Sequence, residues 1–148
     1  MKPAQATDTP GITTIRRRVD YSETDQMGVV YHARYLVWLD VARTEHLRAS
    51  GMAYRDLERF GLRLMVSDLH IRYRRAARYD DEVRVRAWVR ETASRRVTFG
   101  YAVEDHVSGA LLATATTALL VLDDKFDFAR LPVAVATALN PIPDPVRL

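Results

Sequence analysis

Apolar and polar residues alternate along much of this chain, which is the pattern of β-strands with one buried face. The first such segment runs from Ile12 to Tyr21. Three more, apolar at every second position, lie within Leu69 to Tyr73, Val83 to Val89 and Val97 to Val103. A fifth segment, Ala110 to Leu122, is apolar or small at almost every position. It is therefore predicted to be a central strand that is covered on both faces.

One long segment between the first strand and the others has helical periodicity instead. From about Val30 to Ser50, the apolar positions recur at the spacing of one helix face. This stripe consists of Tyr35, Leu39, Ala42 and His46. His46 is accordingly expected in the core or at an interface. Shorter helices are predicted for Tyr54 to Phe60, which Gly61 closes, and for Val133 to Leu139.

The order of elements is one strand, a long helix and then four strands, which predicts an α+β fold. The long helix must bury its apolar stripe, and a sheet is the only large partner that the pattern provides. We expect the four later strands to form an antiparallel meander that curves around the helix. Since strand–helix alternation does not continue, a doubly wound parallel sheet is excluded.

The length of 148 residues suits a single domain. We expect a flexible arm at residues 1–12, a folded domain at residues 13–132 and a proline-rich tail at residues 133–148. No apolar run is long enough to span a bilayer, and the first residues lack the apolar centre of a secretory signal. Cysteine is absent from the sequence. Thiolate chemistry is therefore excluded, and the cytoplasm is the expected compartment.

Positive charge comes almost entirely from arginine, because Lys2 and Lys125 are the only lysines. The formal net charge is +3 at pH 7. Guanidinium groups suit phosphate oxygens, so a phosphate-bearing small ligand is one interpretation and a solvated basic surface is another. A nucleic-acid partner is disfavoured, since no nucleic-acid-binding motif occurs. The four histidines lack the spacing of metal ligands, so no metal or cofactor is expected.

The loop before the long helix carries the main candidate for chemistry. Residues Ser22 to Gly28 hold an acidic cluster that ends in Asp25. A carboxylate there lies near a helix N-terminus, where unpaired N–H groups and the positive end of the helix dipole point outward. These N–H groups would polarise an acyl carbonyl while the carboxylate attacks it or activates a water. Capping of the helix is the alternative role for Asp25.

Four segments resemble the 4-hydroxybenzoyl-CoA thioesterase family, and its YbgC-type acyl-CoA thioesterase branch in particular. The most specific is Tyr21–His32, with the sequence YSETDQMGVVYH. Tyr35–Glu45 is similar to the central helix of the family, Tyr73–Asp81 to the exit of its second strand, and Ser94–Phe99 to a basic strand start. The resemblance extends from about residue 14 to residue 132.

This resemblance implies a hotdog fold, in which a curved antiparallel sheet wraps around a long central helix. It also implies edge-to-edge homodimers that often assemble into homotetramers, with active sites at the dimer interface. The implied reaction is hydrolysis of an acyl-CoA thioester to a free acid and coenzyme A, without a metal or cofactor.

The resemblance assigns Asp25 as the catalytic carboxylate, acting as nucleophile or as general base. The backbone N–H of His32 would face the thioester oxygen, together with the start of the helix at Val30 to His32. The His32 imidazole could hold substrate or steer water, or simply be a half-buried histidine. Gly28 would permit a turn and a close approach of substrate. Tyr31 is expected to line the acyl pocket or, in preference, to pack at the interface.

Substrate contacts are expected at the start of the fourth predicted strand. The resemblance implies that Arg95, Arg96 and Thr98 hold the nucleotide and phosphates of coenzyme A; a solvated strand start is the alternative. Val30, Tyr35 and Val66 are further candidates for substrate binding. The depth of the acyl pocket is expected to depend on how Tyr31, Tyr35, Leu39, Met65 and Val66 pack across the dimer interface.

Two other functions stay open at this stage. The first is an acyl-carrier-protein thioesterase, whose basic surface would dock an acidic carrier protein. The second is a non-catalytic hotdog protein that binds acyl ligands or serves as a scaffold. A carboxylate beside the carbonyl is poorly suited to passive thioester binding, so Asp25 disfavours the second.

Overall fold

Within the part of the chain that the structure describes, five strands and three helices follow one another in the order that the periodicity predicts. The computed structural model describes residues 10–52 and 54–148, so most of the predicted arm lies outside the described residues. The strands are β1 (Thr13–Arg18), β2 (Arg63–Tyr73), β3 (Glu82–Thr92), β4 (Arg96–Asp105) and β5 (Leu111–Leu122). The helices are α1 (Arg34–Ala49), α2 (Tyr54–Arg59) and α3 (Val133–Leu139), and a single 3₁₀ turn covers Tyr21–Glu23.

The five strands form one antiparallel sheet in the order β1-β3-β4-β5-β2. Only β3, β4 and β5 form a meander. The prediction that β2 belongs to it is wrong, because β2 crosses to the far edge and pairs with β5. Periodicity identifies a strand but not its neighbour, and a strand that follows a helix is free to cross over.

Helix α1 packs across β1 and β3 and buries the predicted stripe. Its buried side chains are Tyr35, Trp38, Leu39, Ala42, His46 and Leu47. Each large apolar side chain removed from water in this way stabilises the fold by about 1.5–3 kcal/mol. The expectation of a buried His46 is confirmed: its Nδ1 lies 2.9 Å from Thr13 Oγ1 on β1, and its ring packs edge-on against Phe99.

Helix α1 begins at Arg34, about one turn later than the sequence predicts. The reason is that the preceding N–H groups have acceptors elsewhere. Val30 N–H donates to the Ala77 carbonyl at 2.8 Å, and Tyr31 N–H donates to the Glu23 carbonyl at 2.8 Å. These residues therefore connect to neighbouring segments instead of continuing the helix.

The residues after α3 cover part of the outer face of the sheet. The alternation of apolar residues in β3 predicts that Trp88 lies on the wetter face of the strand, yet its side chain is fully buried. Its indole N–H donates to Asp144 Oδ1 at 2.9 Å, and a Cβ at Gly100 would lie 2.6 Å from the ring. Trp88 is buried because a distant segment of the chain covers it and because Gly100 leaves space for its ring.

Strand β2 is an exposed edge with an apolar face. Leu69 and Tyr73 were expected on a buried face, but they are 42% and 43% exposed. Their cross-strand partners Thr117 and Ala113 are buried, so both residues lie on the core side of the sheet. The described part of a single chain therefore covers both side chains only in part. Among the described helices, none combines the length and apolar character needed to cross a membrane.

Candidate active site

Asp25 lies at the start of a tight turn that its own backbone closes. Its N–H donates to the Val29 carbonyl and its carbonyl accepts from the Gly28 N–H, each at 2.9 Å. The carboxylate Oδ1 accepts the Met27 N–H at 2.9 Å. Gly28 has φ of +77°, a conformation that glycine adopts without a steric cost. Asp25 is half-buried in this turn, and its Oδ2 accepts no hydrogen bond from the described part of the chain.

A cavity of about 270 Å³ opens beside this turn. Its lining consists of Asp25, Met27, Val29, Val30, His32, Tyr35, Tyr73, Arg74, Arg75 and Ala76. Four of the residues predicted for the site are therefore brought together. Gly28 and Tyr31 are not among the lining residues. Gly28 shapes the turn, while Tyr31 is 46% exposed and packs edge-on against the His32 ring.

His32 lines the cavity and has an unengaged backbone donor. Within the part of the chain that the structure describes, the His32 N–H donates to no other group. The carbonyls on either side are both engaged. Tyr31 O accepts from the Arg34 N–H at 2.8 Å, and His32 O accepts from the Tyr73 hydroxyl at 2.6 Å.

Glu23 ties the turn to helix α1. Its buried carboxylate accepts the Trp38 indole N–H at 2.7 Å and the Asp20 N–H at 2.9 Å. Its carbonyl accepts from Tyr31, which lies on the other side of the turn. Both ends of the segment that carries Asp25 are thereby fixed relative to the start of α1.

The two tyrosines of the cavity are kept in the protonated form. Burial raises the pKa of Tyr35, and the nearby Asp81 charge adds to this despite the hydrogen bond from the Ala77 N–H. Burial, reinforced by Tyr35, also raises the pKa of Tyr73. Near neutral pH, the Tyr73 hydroxyl is therefore a donor toward the His32 carbonyl.

The predicted coenzyme A residues lie at the opposite end of the sheet. Tyr73 pairs with Ala113 on β5, whereas Arg96 pairs with Leu120. These β5 positions are seven residues apart, a separation of about 23 Å along a strand. Within one chain, the structure therefore does not bring Arg95, Arg96 and Thr98 to the Asp25 cavity. Val66, opposite Leu119, also lies toward that far end.

Sequence reasoning did not assign Tyr73, Glu23 or Trp38 to the site. Glu23 stands in the most specific motif, two residues before Asp25, and that proximity was the available signal. Tyr73 offered none, since its partner His32 is 41 residues away in the chain. In residues 10–52 and 54–148, no cluster of three or more acidic or histidine side chains forms a metal site.

A profile of the Thioesterase-like superfamily matches residues 19–146, most of the chain. The chain belongs to this superfamily. YneP of Bacillus subtilis, a provisionally named acyl-CoA thioesterase, is 36% identical over 107 residues, which are 72% of this chain and 77% of YneP. The acyl-CoA thioesterase YbgC of Haemophilus influenzae is 42% identical over 83 residues, which are 55% of this chain and 61% of YbgC.

Solved structures agree with this assignment. The DHNA-CoA thioesterase of Staphylococcus aureus superposes with a TM-score of 0.77 at 31% identity, covering 81% of this chain and 80% of that one. A 4-hydroxybenzoyl-CoA thioesterase mutant with bound 4-hydroxybenzoyl-CoA gives a TM-score of 0.81, covering 88% and 99%; at 16% identity it shows the fold alone. The predicted family, the hotdog fold and the enzyme class, a thioester hydrolase, are confirmed.

Proposed function

We propose that this protein is an acyl-CoA thioesterase that releases a free acid and coenzyme A, with Asp25 as its catalytic carboxylate. One observation carries the proposal: Asp25 and His32 line the same cavity, and the His32 N–H has no acceptor among the described residues. A carboxylate next to a free amide donor supplies both groups that acyl transfer to water needs. The names of YneP and YbgC support coenzyme A as the carrier.

The His32 N–H would donate a hydrogen bond to the thioester carbonyl oxygen and stabilise the negative charge that develops on it. Helix α1 begins two residues later, at Arg34, so the positive end of its dipole lies close to that oxygen. Loss of one such donor in other enzymes lowers the rate by about 10²–10³. The donor belongs to the backbone, so replacing the His32 side chain is expected to affect the rate less than replacing Asp25.

Asp25 can act by two balanced routes. As a nucleophile, a carboxylate oxygen bonds to the thioester carbon, the C–S bond breaks, and the thiolate leaves with the electron pair. Water then hydrolyses the resulting mixed anhydride. As a general base, Asp25 takes a proton from water while the water oxygen attacks the same carbon. The C–S bond of the tetrahedral intermediate then breaks, the thiolate leaves with the electron pair, and the proton held by Asp25 passes to it.

A second copy of the chain would complete the site. Strand β2 has an unpaired edge in the described chain, and its exposed apolar side chains include Val66 and Leu69. Antiparallel pairing of β2 with its symmetry mate reverses the sheet direction. The end of the partner subunit's sheet that carries its Arg96 and Thr98 would then approach the Asp25 cavity of the first chain. The homotetramer and the cytoplasmic location stay predictions.

Thiol release from a panel of short, medium, long and aromatic acyl-CoAs tests the proposal, with Asp25→Asn in parallel. The asparagine Oδ1 still accepts the Met27 N–H, so the turn is expected to survive. We expect turnover to fall by two or more orders of magnitude, an outcome typical of a lost nucleophile or base. Asp124→Asn is the matched control, because Asp124 is exposed and lies far along the chain after β5.

Turnover that survives in Asp25→Asn would contradict the assigned mechanism. Inactivity of the wild type on every acyl-CoA, combined with activity on acyl carrier proteins, would favour the carrier-protein alternative. Arg74 and Arg75 line the cavity without an ion pair in the described chain, and they would then be the first candidates for the docking surface.

A further inference from the structure

We infer that Tyr73 is a positioning residue for thioester hydrolysis: its hydroxyl holds the peptide group after His32, so that His32 presents its N–H to the thioester and not its carbonyl. The inference rests on the proposed function. It goes further because it names a residue of the edge strand β2 that fixes the orientation of the polarising His32 amide.

The contact is short and bridges two distant segments. The Tyr73 hydroxyl lies 2.6 Å from the His32 carbonyl oxygen, and the two residues line the same cavity as Asp25. The Tyr73 ring also meets the Tyr35 ring edge-on with centroids 5.2 Å apart, and the His32 ring at 6.3 Å. The phenol is thus oriented by its ring contacts before its hydroxyl makes the hydrogen bond.

The flanking peptide groups decide what His32 offers to a ligand. The Arg34 N–H holds the Tyr31 carbonyl, which belongs to the same rigid peptide plane as the His32 N–H. The Tyr73 hydroxyl holds the next plane, which contains the His32 carbonyl. With both planes held, the His32 N–H stays without an internal acceptor and is available to a ligand.

Loss of the second hydrogen bond would release the His32 carbonyl beside the cavity. That oxygen carries partial negative charge, and rotation of its peptide plane toward the ligand would oppose the charge that develops on the thioester oxygen. The penalty arises in the transition state more than in substrate binding. It therefore lowers kcat and leaves KM nearly unchanged.

Tyr73→Phe removes the hydroxyl and keeps the ring. Loss of one hydrogen bond corresponds to roughly a tenfold fall in kcat and kcat/KM, and KM is expected to stay within about twofold. Tyr79→Phe is the matched control. The Tyr79 ring packs edge-on against Tyr21, and its hydroxyl has no hydrogen bond in the described chain.

Two coenzyme A analogues separate positioning from packing. In a fluorinated ketone, a difluoromethylene group replaces the thioester sulfur, so that addition of water or a carboxylate to the carbonyl gives a tetrahedral oxyanion that mimics the transition state; in a thioether, a methylene replaces the carbonyl. If Tyr73 supports the carbonyl-binding amide, Tyr73→Phe weakens binding of the ketone severalfold and leaves the thioether unaffected. Equal weakening of both would show a packing role and overturn the inference.

The outcomes also distinguish this inference from the proposed function. An active wild type, an inactive Asp25→Asn and an unchanged Tyr73→Phe would overturn the inference alone. A wild type that neither hydrolyses acyl-CoAs nor binds the ketone would overturn the proposed function, and the inference would fall with it.

Discussion

The two edges of the sheet differ in length, charge and cover. Strand β1 has six residues, and its C-terminal half consists of Arg16, Arg17 and Arg18. Arg16 donates to Glu82 on the neighbouring strand, and Arg18 to the Asp80 carbonyl. Strand β2 has eleven residues, and Met65, Val66, Leu69 and Tyr73 are all at least 40% exposed.

Natural sheets protect their edges from unwanted pairing by short strands and by charge. The β1 edge has both features, so it is built to end the sheet. The β2 edge is long, and although it carries Arg63, Asp68 and Arg72, its exposed side chains Val66, Leu69 and Tyr73 continue the apolar core face of the sheet. An edge of this kind is expected to pair with a strand of a second chain. Since the cavity residue Tyr73 lies on β2, pairing at this edge would also bear on the site.

The largest effect is expected from charging the β2 edge. In Leu69→Asp, symmetric pairing would bring two carboxylates into an apolar interface, where unpaired charges are strongly unfavourable. We expect a monomer by sedimentation or light scattering, and a loss of thioesterase activity of more than about 100-fold if the partner completes the site. Retention of the dimer with full activity would place the interface elsewhere.

Arg17→Asp on β1 is the control for this change. It introduces the same carboxylate at the opposite edge, and Arg17 has no ion pair within the described chain. The assembly state and the activity are expected to stay those of the wild type. A monomer in this variant would show that two chains pair through β1 and not through β2.

A smaller effect is expected at the far end of the sheet. Replacing both Arg95 and Arg96 by alanine removes two phosphate-binding candidates and should raise KM for acyl-CoA by about tenfold or more. Mixed with Asp25→Asn after dissociation and reassembly, this variant forms heterodimers in which one of the two sites is intact. Activity at low substrate should recover to about a quarter of wild type, because random pairing makes half of the dimers mixed.

Recovery above the sum of the separate variants would be the signature of a shared site. If each site uses Arg95 and Arg96 of its own chain, mixing gives no gain. The experiment thus tests whether the separation along β5 is closed by a second copy. It does so without relying on any variant that disrupts the interface.

Local features of this molecule could be predicted from the sequence. The turn at Asp25 to Gly28 is signalled by its glycine, and the buried stripe of α1 by its spacing. These structures depend on neighbours within a few positions. The resemblance added the family and the hotdog fold, which periodicity alone leaves open.

Features that depend on distant segments could not be predicted. The contact of Tyr73 with His32 joins residues 41 positions apart, and the contact of Trp88 with Asp144 joins residues 56 positions apart. The pairing of β2 with β5 depends on a crossover of the chain. The helix start was predicted too early for the same reason. No local pattern at Val30 shows that its N–H is taken by Ala77.

The smallest effect is expected at the β1 edge, where the contact of Thr13 with His46 joins the strand to helix α1. Burial lowers the pKa of His46 below its ordinary value of 6.5, and no acidic side chain makes a hydrogen bond or ion pair with it within the described residues. The unfolded chain therefore binds the proton more tightly than the folded one. The resulting stability is complete above about pH 6.5 and decreases as the pH falls below it, by at most about 1.4 kcal/mol per pH unit.

Urea unfolding at pH 7.5 and pH 5.5 measures this contribution of His46. In His46→Gln, the glutamine can still face the Thr13 hydroxyl but cannot take up a proton, so its free energy of unfolding should fall less between the two pH values. His70→Gln, at an exposed position on β2, should keep the full wild-type pH dependence. Equal pH dependence in wild type and His46→Gln would show that the acid sensitivity arises elsewhere. Loss of that dependence in His70→Gln would instead connect it to the β2 edge.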